Sequence, residues 1–134
     1  MKTFHFTLLE ADQPFFDGEC ISVQIPATDG LYGIMADHTN LICAVIPGTL
    51  KYRTADGTEH IAAVSPGLCK VEDGEVLVFT ESAEAPEEID ENRAKREAAE
   101  AEAILKAEHS LREYNAAKAK IARTLNRLKV KSKY

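Results

Sequence analysis

The feature that most constrains the fold is an abrupt change in composition near Pro86. Up to that residue, the chain is punctuated by Gly and Pro and is rich in Val, Ile, Thr and Phe. Beyond it there is no Gly and no Pro, and Ala, Glu, Lys, Arg and Leu predominate. The first composition is typical of short strands joined by turns, and the second favours helices. The sequence therefore predicts two domains, a β-domain over residues 1–85 and a helical domain over residues 86–134.

The β-domain contains about eight short apolar or alternating segments, separated by turn-forming residues. Asp56-Gly57 and Asp73-Gly74 are the clearest hairpin turns, because Gly adopts positive φ at little cost. Gln13-Pro14 and Asp17-Gly18 are also expected to form turns. Short strands with tight turns predict an antiparallel β-sandwich or flattened barrel. The predicted strands cover residues 3–10, 20–25, 31–35, 41–46, 49–54, 59–64, 68–71 and 76–80.

The helical domain is predicted to be an antiparallel two-helix hairpin. The first helix is expected over residues 86–107, since Pro is tolerated in a first turn. Ser110-Leu111-Arg112-Glu113 resembles a capping box and predicts the start of the second helix. The apolar stripes are thin, so the hairpin is expected to pack weakly on the β-domain and to move. The predicted inward residues are Ile89, Ala99, Ala103, Ile104 and Ala107 on the first helix, and Leu111, Tyr114, Ile121, Leu125 and Leu128 on the second.

The charge distribution distinguishes the domains more sharply than the net charge of −6 does. Residues 1–86 carry four Lys or Arg against 13 Asp or Glu, whereas residues 87–134 carry 12 against nine. The second helix alone has eight bases and one acid between Arg112 and Tyr134. An acidic first helix favours antiparallel pairing with this basic helix, whose charge also suits acidic partners or phosphates.

Several classes of protein are disfavoured by the sequence. No apolar run approaches the roughly 18 residues that span a bilayer, and the N-terminus lacks the layout of a signal peptide, so a cytosolic location is expected. There is no G-x-x-x-x-G-K-[ST] loop and no arrangement of residues that argues for a catalytic nucleophile. The histidines lack the spacing of metal ligands, and three widely spaced cysteines predict buried thiols. An enzyme or a metal site is therefore not expected.

The order and spacing of many residues resemble the epsilon subunit of bacterial F-type ATP synthase. The resemblance begins with Val23-x-x-Pro26-x-x-x-Gly30-x-x-Gly33-Ile34-x-x-x-His38 and continues through Leu41, Pro47-Gly48 and Val76-Leu77-Val78-Phe79. It extends into Ile89-Asp90-x-x-Arg93-Ala94 and the helical hairpin, and so covers nearly the whole chain.

This resemblance implies a β-sandwich of about ten strands in the central stalk, bound to the gamma subunit and the c-ring. Such a subunit is not catalytic, requires no cofactor and couples ring rotation to the catalytic head of a proton-translocating complex. The hairpin is expected either folded down on the sandwich or extended along gamma towards the alpha and beta subunits, where it inhibits ATP hydrolysis. The implied location is peripheral, on the cytoplasmic face of the bacterial cell membrane, with membrane association only through the complex and without nucleic acid.

Leu31 and His38 are the implied rotor contacts, but the loops near them depart from the family pattern. The family usually has Pro-Gly-His-Ala-Pro where this chain has Ala36-Asp37-His38-Thr39-Asn40. It usually has Ser-Gly-Gly where this chain has Ser65-Pro66-Gly67. Contacts made by these loops are therefore expected to differ from those of the family.

The resemblance also implies a candidate site for ATP as a regulatory ligand. Arg123 and Arg127 share a helix face and can present two guanidinium groups to a polyphosphate, while carboxylates can accept hydrogen bonds from adenine or ribose. Glu100 stands at a position that is basic in the family, where it would repel phosphate unless Arg96 replaces that base. The candidate residues are Glu84, Ile89, Asp90, Arg93, Ala94, Arg123 and Arg127.

Two alternatives remain open from the residues themselves. Asp90 and Arg93 could form a simple surface pair, with Arg123 and Arg127 solvated or paired with acids of the first helix. A free-standing regulatory or nucleic-acid-binding module could use the basic second helix, although the acidic β-domain would repel a phosphate backbone and no aromatic platform accompanies the bases.

Overall fold

The structure, a computed structural model, describes residues 2–106 and 111–134. The chain divides into two compact units, Met1–Glu84 and Ala85–Tyr134. The described residues of the first unit form nine strands: β1 (Phe4–Glu10), β2 (Gln13–Ala27), β3 (Gly30–Met35), β4 (Leu41–Val45), β5 (Gly48–Thr54), β6 (Glu59–Val64), β7 (Gly67–Glu72), β8 (Glu75–Thr80) and β9 (Ala83–Glu84).

The strands form one sheet that folds back on itself. Their order is β1-β8-β7-β4-β2-β5-β6-β9, with β3 beside β2, and β1 also pairs with β2. This last pairing closes a ring through β1, β8, β7, β4 and β2, so the predicted sandwich or flattened barrel is confirmed. The sheet is mixed rather than wholly antiparallel, because β1 and β8 run parallel, with Phe6 opposite Val76.

The prediction for the second strand was wrong at its N-terminal end, and the predicted turns at Gln13-Pro14 and Asp17-Gly18 lie within the strand instead. β2 runs from Gln13 to Ala27, and its first residue already pairs with Glu10. The turn before it lies at residues 11–12, where Ala11 has a φ of 53°. Pro14 is accommodated in the strand because it pairs with Leu9 where the register shifts, and a missing N–H is tolerated at such a bulge.

The core of the first unit is formed by the inward faces of its strands. Phe4, Phe6 and Leu8 alternate along β1 and are buried, as a strand with one face on a core requires. The rings of Phe16 and Tyr52 pack at a centroid distance of 4.6 Å beside Phe6. All buried members of this core lie between Phe4 and Ala83, so the first unit has a complete hydrophobic core of its own.

Two of the three cysteines are buried in this core. Cys20 and Cys69 are fully buried, whereas Cys43, directly opposite Cys69 in the β4–β7 pair, is partly exposed. Burial raises the pKa of the Cys20 thiol to about 11 and that of Cys69 to about 12, because a thiolate would lose its hydration there. Both thiols are therefore weak nucleophiles at neutral pH.

The second unit contains a 3₁₀ turn (Pro86–Glu88), helix α1 (Glu91–Lys106) and helix α2 (Leu111–Lys133). The predicted single helix over residues 86–107 is thus interrupted, since Ile89 is extended, with φ −79° and ψ 122°. The Lys131 ammonium, near the end of α2, donates to the Pro86 carbonyl at 3.3 Å. The end of α2 therefore lies near the start of α1, as in an antiparallel hairpin. The predicted capping box begins at Ser110, which lies outside the described residues.

Four of the seven predicted inward residues whose side chains are described are exposed, whereas Ile121 and Leu128 are half-buried. Ala99 and Ala103 are exposed, and α1 instead buries Ala94, Ala98 and Ala101. On α2, Tyr114 and Leu125 remain 41% and 49% exposed, while the buried residues are Ala117, Thr124 and Val130. Ile89 is buried as predicted, whereas Ile104, Ala107 and Leu111 have side chains outside the described part of the chain. Small residues allow the two helix backbones to approach closely. The helices therefore meet through their faces of small residues, and not through the faces that carry the largest apolar side chains.

Candidate functional site

Asp90 forms the N-terminal cap of α1. One of its carboxylate oxygens, Oδ1, accepts the backbone N–H of Arg93 at 3.0 Å, and its carbonyl accepts the N–H of Ala94 at 3.0 Å. The bond to Ala94 is the first hydrogen bond of the helix, whereas the bond to Arg93 satisfies a donor that the helix itself leaves unpaired. A cap of this kind stabilises a helix by about 1 kcal/mol. Helix capping therefore explains the Asp90-x-x-Arg93 spacing on structural grounds, in addition to the predicted role of these residues in binding ATP.

A carboxylate that the sequence analysis did not single out joins two of the predicted arginines. Glu97 accepts from Arg93 Nε through Oε1 at 3.2 Å and from Arg127 Nη1 through Oε2 at 3.3 Å. The side chains of Glu97 and Arg127 are 23% and 20% exposed, whereas that of Arg93 is 67% exposed. The spacing of Arg93 and Glu97 by one helical turn was the signal that could have identified this carboxylate.

The other predicted nucleotide-site residues are divided between the two units. Ile89 and Ala94 are buried at the start of α1, with 3% and 0% of their surface exposed. Arg123 is half-buried on α2, one turn before Arg127 and on the same face. Glu84 is the last residue of β9, in the first unit. Within the second unit, the side chains of Arg93 and Arg127 thus meet at Glu97, while the Asp90 carboxylate binds the backbone of Arg93.

Glu100, which was predicted to repel phosphate, and Arg96, which was predicted to compensate for it, are both exposed on α1. Their separation by four residues places them on neighbouring turns of one face, so Arg96 can reach the region of Glu100. The local geometry is therefore compatible with Arg96 in the role of the missing family base.

The two predicted rotor contacts lie on the first unit. Leu31 is 63% exposed near the start of β3. His38 is half-buried in the connection between β3 and β4, and its Nδ1 lies 2.8 Å from the carbonyl oxygen of Thr39.

The sequence analysis missed an apolar surface on the first unit, here called the apolar face, which consists of Ile42, Leu68, Leu77 and Phe79. These side chains are 71%, 56%, 39% and 45% exposed. They lie on the adjacent strands β4, β7 and β8, where Leu68 is directly opposite Phe79. The signal was the unbroken run Val76-Leu77-Val78-Phe79, which places apolar residues on both sides of β8.

The described helices carry no segment with the length and apolar character that crossing a membrane requires.

Comparison with known proteins identifies the class of this fold. Residues 3–86 match the family described as ATP synthase, Delta/Epsilon chain, beta-sandwich domain. A chain of the Euglena gracilis mitochondrial ATP synthase, in a structure of OSCP/F1/c-ring, superposes with a TM-score of 0.81 at 21% identity, over 92% of this chain and 78% of that chain. A chain of the Tetrahymena thermophila mitochondrial ATP synthase central stalk/c-ring superposes with a TM-score of 0.67 at 15% identity, over 97% of each chain. The fold is therefore that of the delta/epsilon β-sandwich class.

Relatives that align over nearly the full length identify the family within this class. The ATP synthase epsilon chain of Ruminococcus albus is 37% identical in an alignment of 134 positions that covers 99% of each chain. That of Ruminiclostridium cellulolyticum is 38% identical over 128 residues, covering 96% of this chain and 95% of the relative. The chain belongs to the ATP synthase epsilon chain family. It is accordingly a non-catalytic subunit of an enzyme complex, and not an enzyme by itself.

Proposed function

We propose that this chain is a rotor subunit in the central stalk of a proton-translocating F-type ATP synthase, where it couples rotation of the c-ring to the catalytic head. The observation that carries the proposal is 37% identity to an ATP synthase epsilon chain over 99% of both chains. The subunit is then peripheral, on the cytoplasmic face of the bacterial cell membrane, and is held there through gamma and the c-ring.

The apolar face supports a docking role for the first unit. Its exposed apolar side chains lie on three adjacent strands, where Leu68 is opposite Phe79, and Lys70 lies between Ile42 and Leu77. Clustered exposed apolar side chains of this kind are typically covered by a protein partner. We assign this surface to gamma. Leu31, on β3, and His38, between β3 and β4, are assigned to contacts with the rotor.

The rotor assignment is tested by co-purification. A tagged chain expressed with the other subunits is expected to retain gamma and the catalytic head. Leu68→Asp is expected to weaken this retention, because Leu68 lies between Ala44 and Phe79 and burying an unpaired carboxylate at an apolar contact is unfavourable. Thr58→Asp, on the exposed β5–β6 turn, is the matched control. Failure of the unaltered chain to retain gamma would overturn the rotor assignment, and equal loss with both variants would exclude the apolar face as the docking surface.

The second unit is proposed to regulate ATP hydrolysis. In an extended conformation, the basic residues of α2 approach acidic segments of the alpha and beta subunits and inhibit hydrolysis. In the folded-down conformation, ATP binds Arg93, Arg123 and Arg127 through its phosphates and acts as a latch. By linkage, ATP shifts the equilibrium towards the folded-down state only as far as its affinities for the two states differ. The convergence of the Arg93 and Arg127 side chains on Glu97 supports this assignment.

Arg123→Ala is expected to weaken ATP binding roughly tenfold or more, because a charge-assisted hydrogen bond contributes about 1.5–3 kcal/mol. Isothermal titration calorimetry of the isolated full-length chain, with and without Mg²⁺, measures this change. Lys129→Ala removes an exposed base from the same helix and is expected to have little effect. Absence of binding to the unaltered chain at millimolar ATP would refute the latch, and equal losses in both variants would indicate a general effect of charge.

A further inference from the structure

We propose that Glu97 is an internal competitor of the nucleotide phosphates. When no ATP is bound, its carboxylate holds Arg93 and Arg127, and ATP must displace it from them. Glu97 thereby sets the concentration of ATP at which the hairpin responds. This inference rests on the proposed ATP site and adds a residue that determines its affinity.

The geometry of the carboxylate is that of a bridge between two cations. Each oxygen serves a different arginine: Oε1 lies 3.2 Å from Arg93 Nε, and Oε2 lies 3.3 Å from Arg127 Nη1. Arg93 belongs to α1 and Arg127 to α2, so a single side chain joins the two helices. Burial of the Glu97 and Arg127 side chains to 23% and 20% exposure reduces the screening of this contact by water and salt.

A carboxylate and a phosphate compete for the same donors. Guanidinium N–H groups bind either anion in similar planar geometry, and those directed at Glu97 are not simultaneously directed at a phosphate. A polyphosphate must therefore take these donors from Glu97 or bind with its own negative charge near that carboxylate. Both routes lower its affinity, the first through the lost ion pairs and the second through repulsion.

The same contact stabilises the hairpin when ATP is absent. By joining α1 to α2, Glu97 favours association of the helices without a ligand, and ATP replaces this link with a tighter one. A salt bridge with a purely structural role would give a different result on mutation, since its loss would loosen the hairpin and leave ATP affinity unchanged or reduced. The direction of the change in affinity therefore distinguishes the two roles.

Calorimetric titration of the full-length chain carrying Glu97→Gln tests the inference. The affinity for ATP is expected to rise at least about fivefold, as for a coupling at the lower end of the usual range. Inorganic tripolyphosphate, which lacks the nucleoside, is expected to show the same gain. The control is Glu91→Gln, which removes an equal charge from an exposed residue of α1. Glu91 is paired with Lys95 at 3.2 Å, and its substitution is expected to change the affinity for ATP less than about twofold.

Each outcome of this titration decides a separate claim. If the unaltered chain binds ATP and Glu97→Gln binds no more tightly, Glu97 is not a competitor, and the ATP site itself remains. If neither binds ATP, both the ATP site and the role of Glu97 are refuted. Glu97→Ala, which removes the carboxylate while favouring the helix, is expected to reproduce the gain, and a gain in Glu97→Gln alone would also contradict the inference.

Discussion

A chain that ends at Glu84 is expected to fold into a stable sandwich and to abolish the inhibition of ATP hydrolysis. Every buried residue of the first unit's core lies between Phe4 and Ala83, and the truncated chain keeps β9, which pairs Val64 with Ala83. The proposed inhibitory helix is lost. Denaturant unfolding of the truncated chain is expected to show one cooperative transition, and complexes reconstituted with it are expected to hydrolyse ATP at the uninhibited rate.

A chain that ends at Lys106 is the matched control for this truncation. It retains α1 and lacks α2, which carries the basic residues assigned to inhibition. It is expected to release hydrolysis to the same extent, because the proposed contacts with the catalytic head come from α2. Inhibition that persisted in the chain ending at Lys106 would assign that role to α1 instead. Loss of cooperative unfolding in the chain ending at Glu84 would show that the sandwich depends on the second unit.

The parts of the fold that depend on local chemistry were predictable from the sequence. Asp56-Gly57 and Asp73-Gly74 were expected to form hairpin turns, and they lie between β5 and β6 and between β7 and β8. Gly57 and Gly74 have φ values of 87° and 79°, which residues other than Gly rarely adopt. Because each turn is encoded by residues adjacent in the chain, neither prediction required knowledge of distant partners.

The features that depend on distant partners were not predictable in this way. The parallel pairing of β1 with β8 joins strands from opposite ends of the first unit, and no local pattern encodes it. The two-residue strand β9 is defined only by its pairing with β6. In the hairpin, the Ala-rich helix α1 has several equivalent stripes of small residues. Which stripe faces inward therefore depends on how the helix packs against α2.

The same limitation applies to the candidate site. The residues assigned by the family resemblance were identified from the order of motifs along the chain, and whether they bind ATP stays a prediction. Glu97 belongs to no such motif, and its contact with Arg127 depends on how α1 and α2 are rotated about their axes. Sequence alone could relate Glu97 to Arg93, one turn away, but could not predict that a second arginine would approach from α2.

Gly67→Ala is expected to destabilise the first unit by about 3 kcal/mol, the upper part of the usual range for adding a methyl group to a packed site. Gly67 begins β7, between Val45 of β4 and Thr80 of β8. A Cβ at this residue would overlap the carbonyl oxygen of Phe79 and lie 2.8 Å from the Cα of Thr80. These are backbone atoms in a paired strand, so they cannot rotate away as a side chain would, and β7 and β8 must separate locally.

Gly33→Ala is the matched control, because it adds the same methyl group to a strand of the same sheet. No atom lies within 4 Å of a Cβ built at Gly33, so its free energy of unfolding is expected to change by less than about 0.5 kcal/mol. Urea unfolding of both variants, compared with the unaltered chain, measures the difference. If Gly67→Ala proved as stable as Gly33→Ala, this result would contradict the close approach of the β7 and β8 backbones at Gly67. A large effect confined to Gly67→Ala would show that a backbone contact requires glycine at the start of β7.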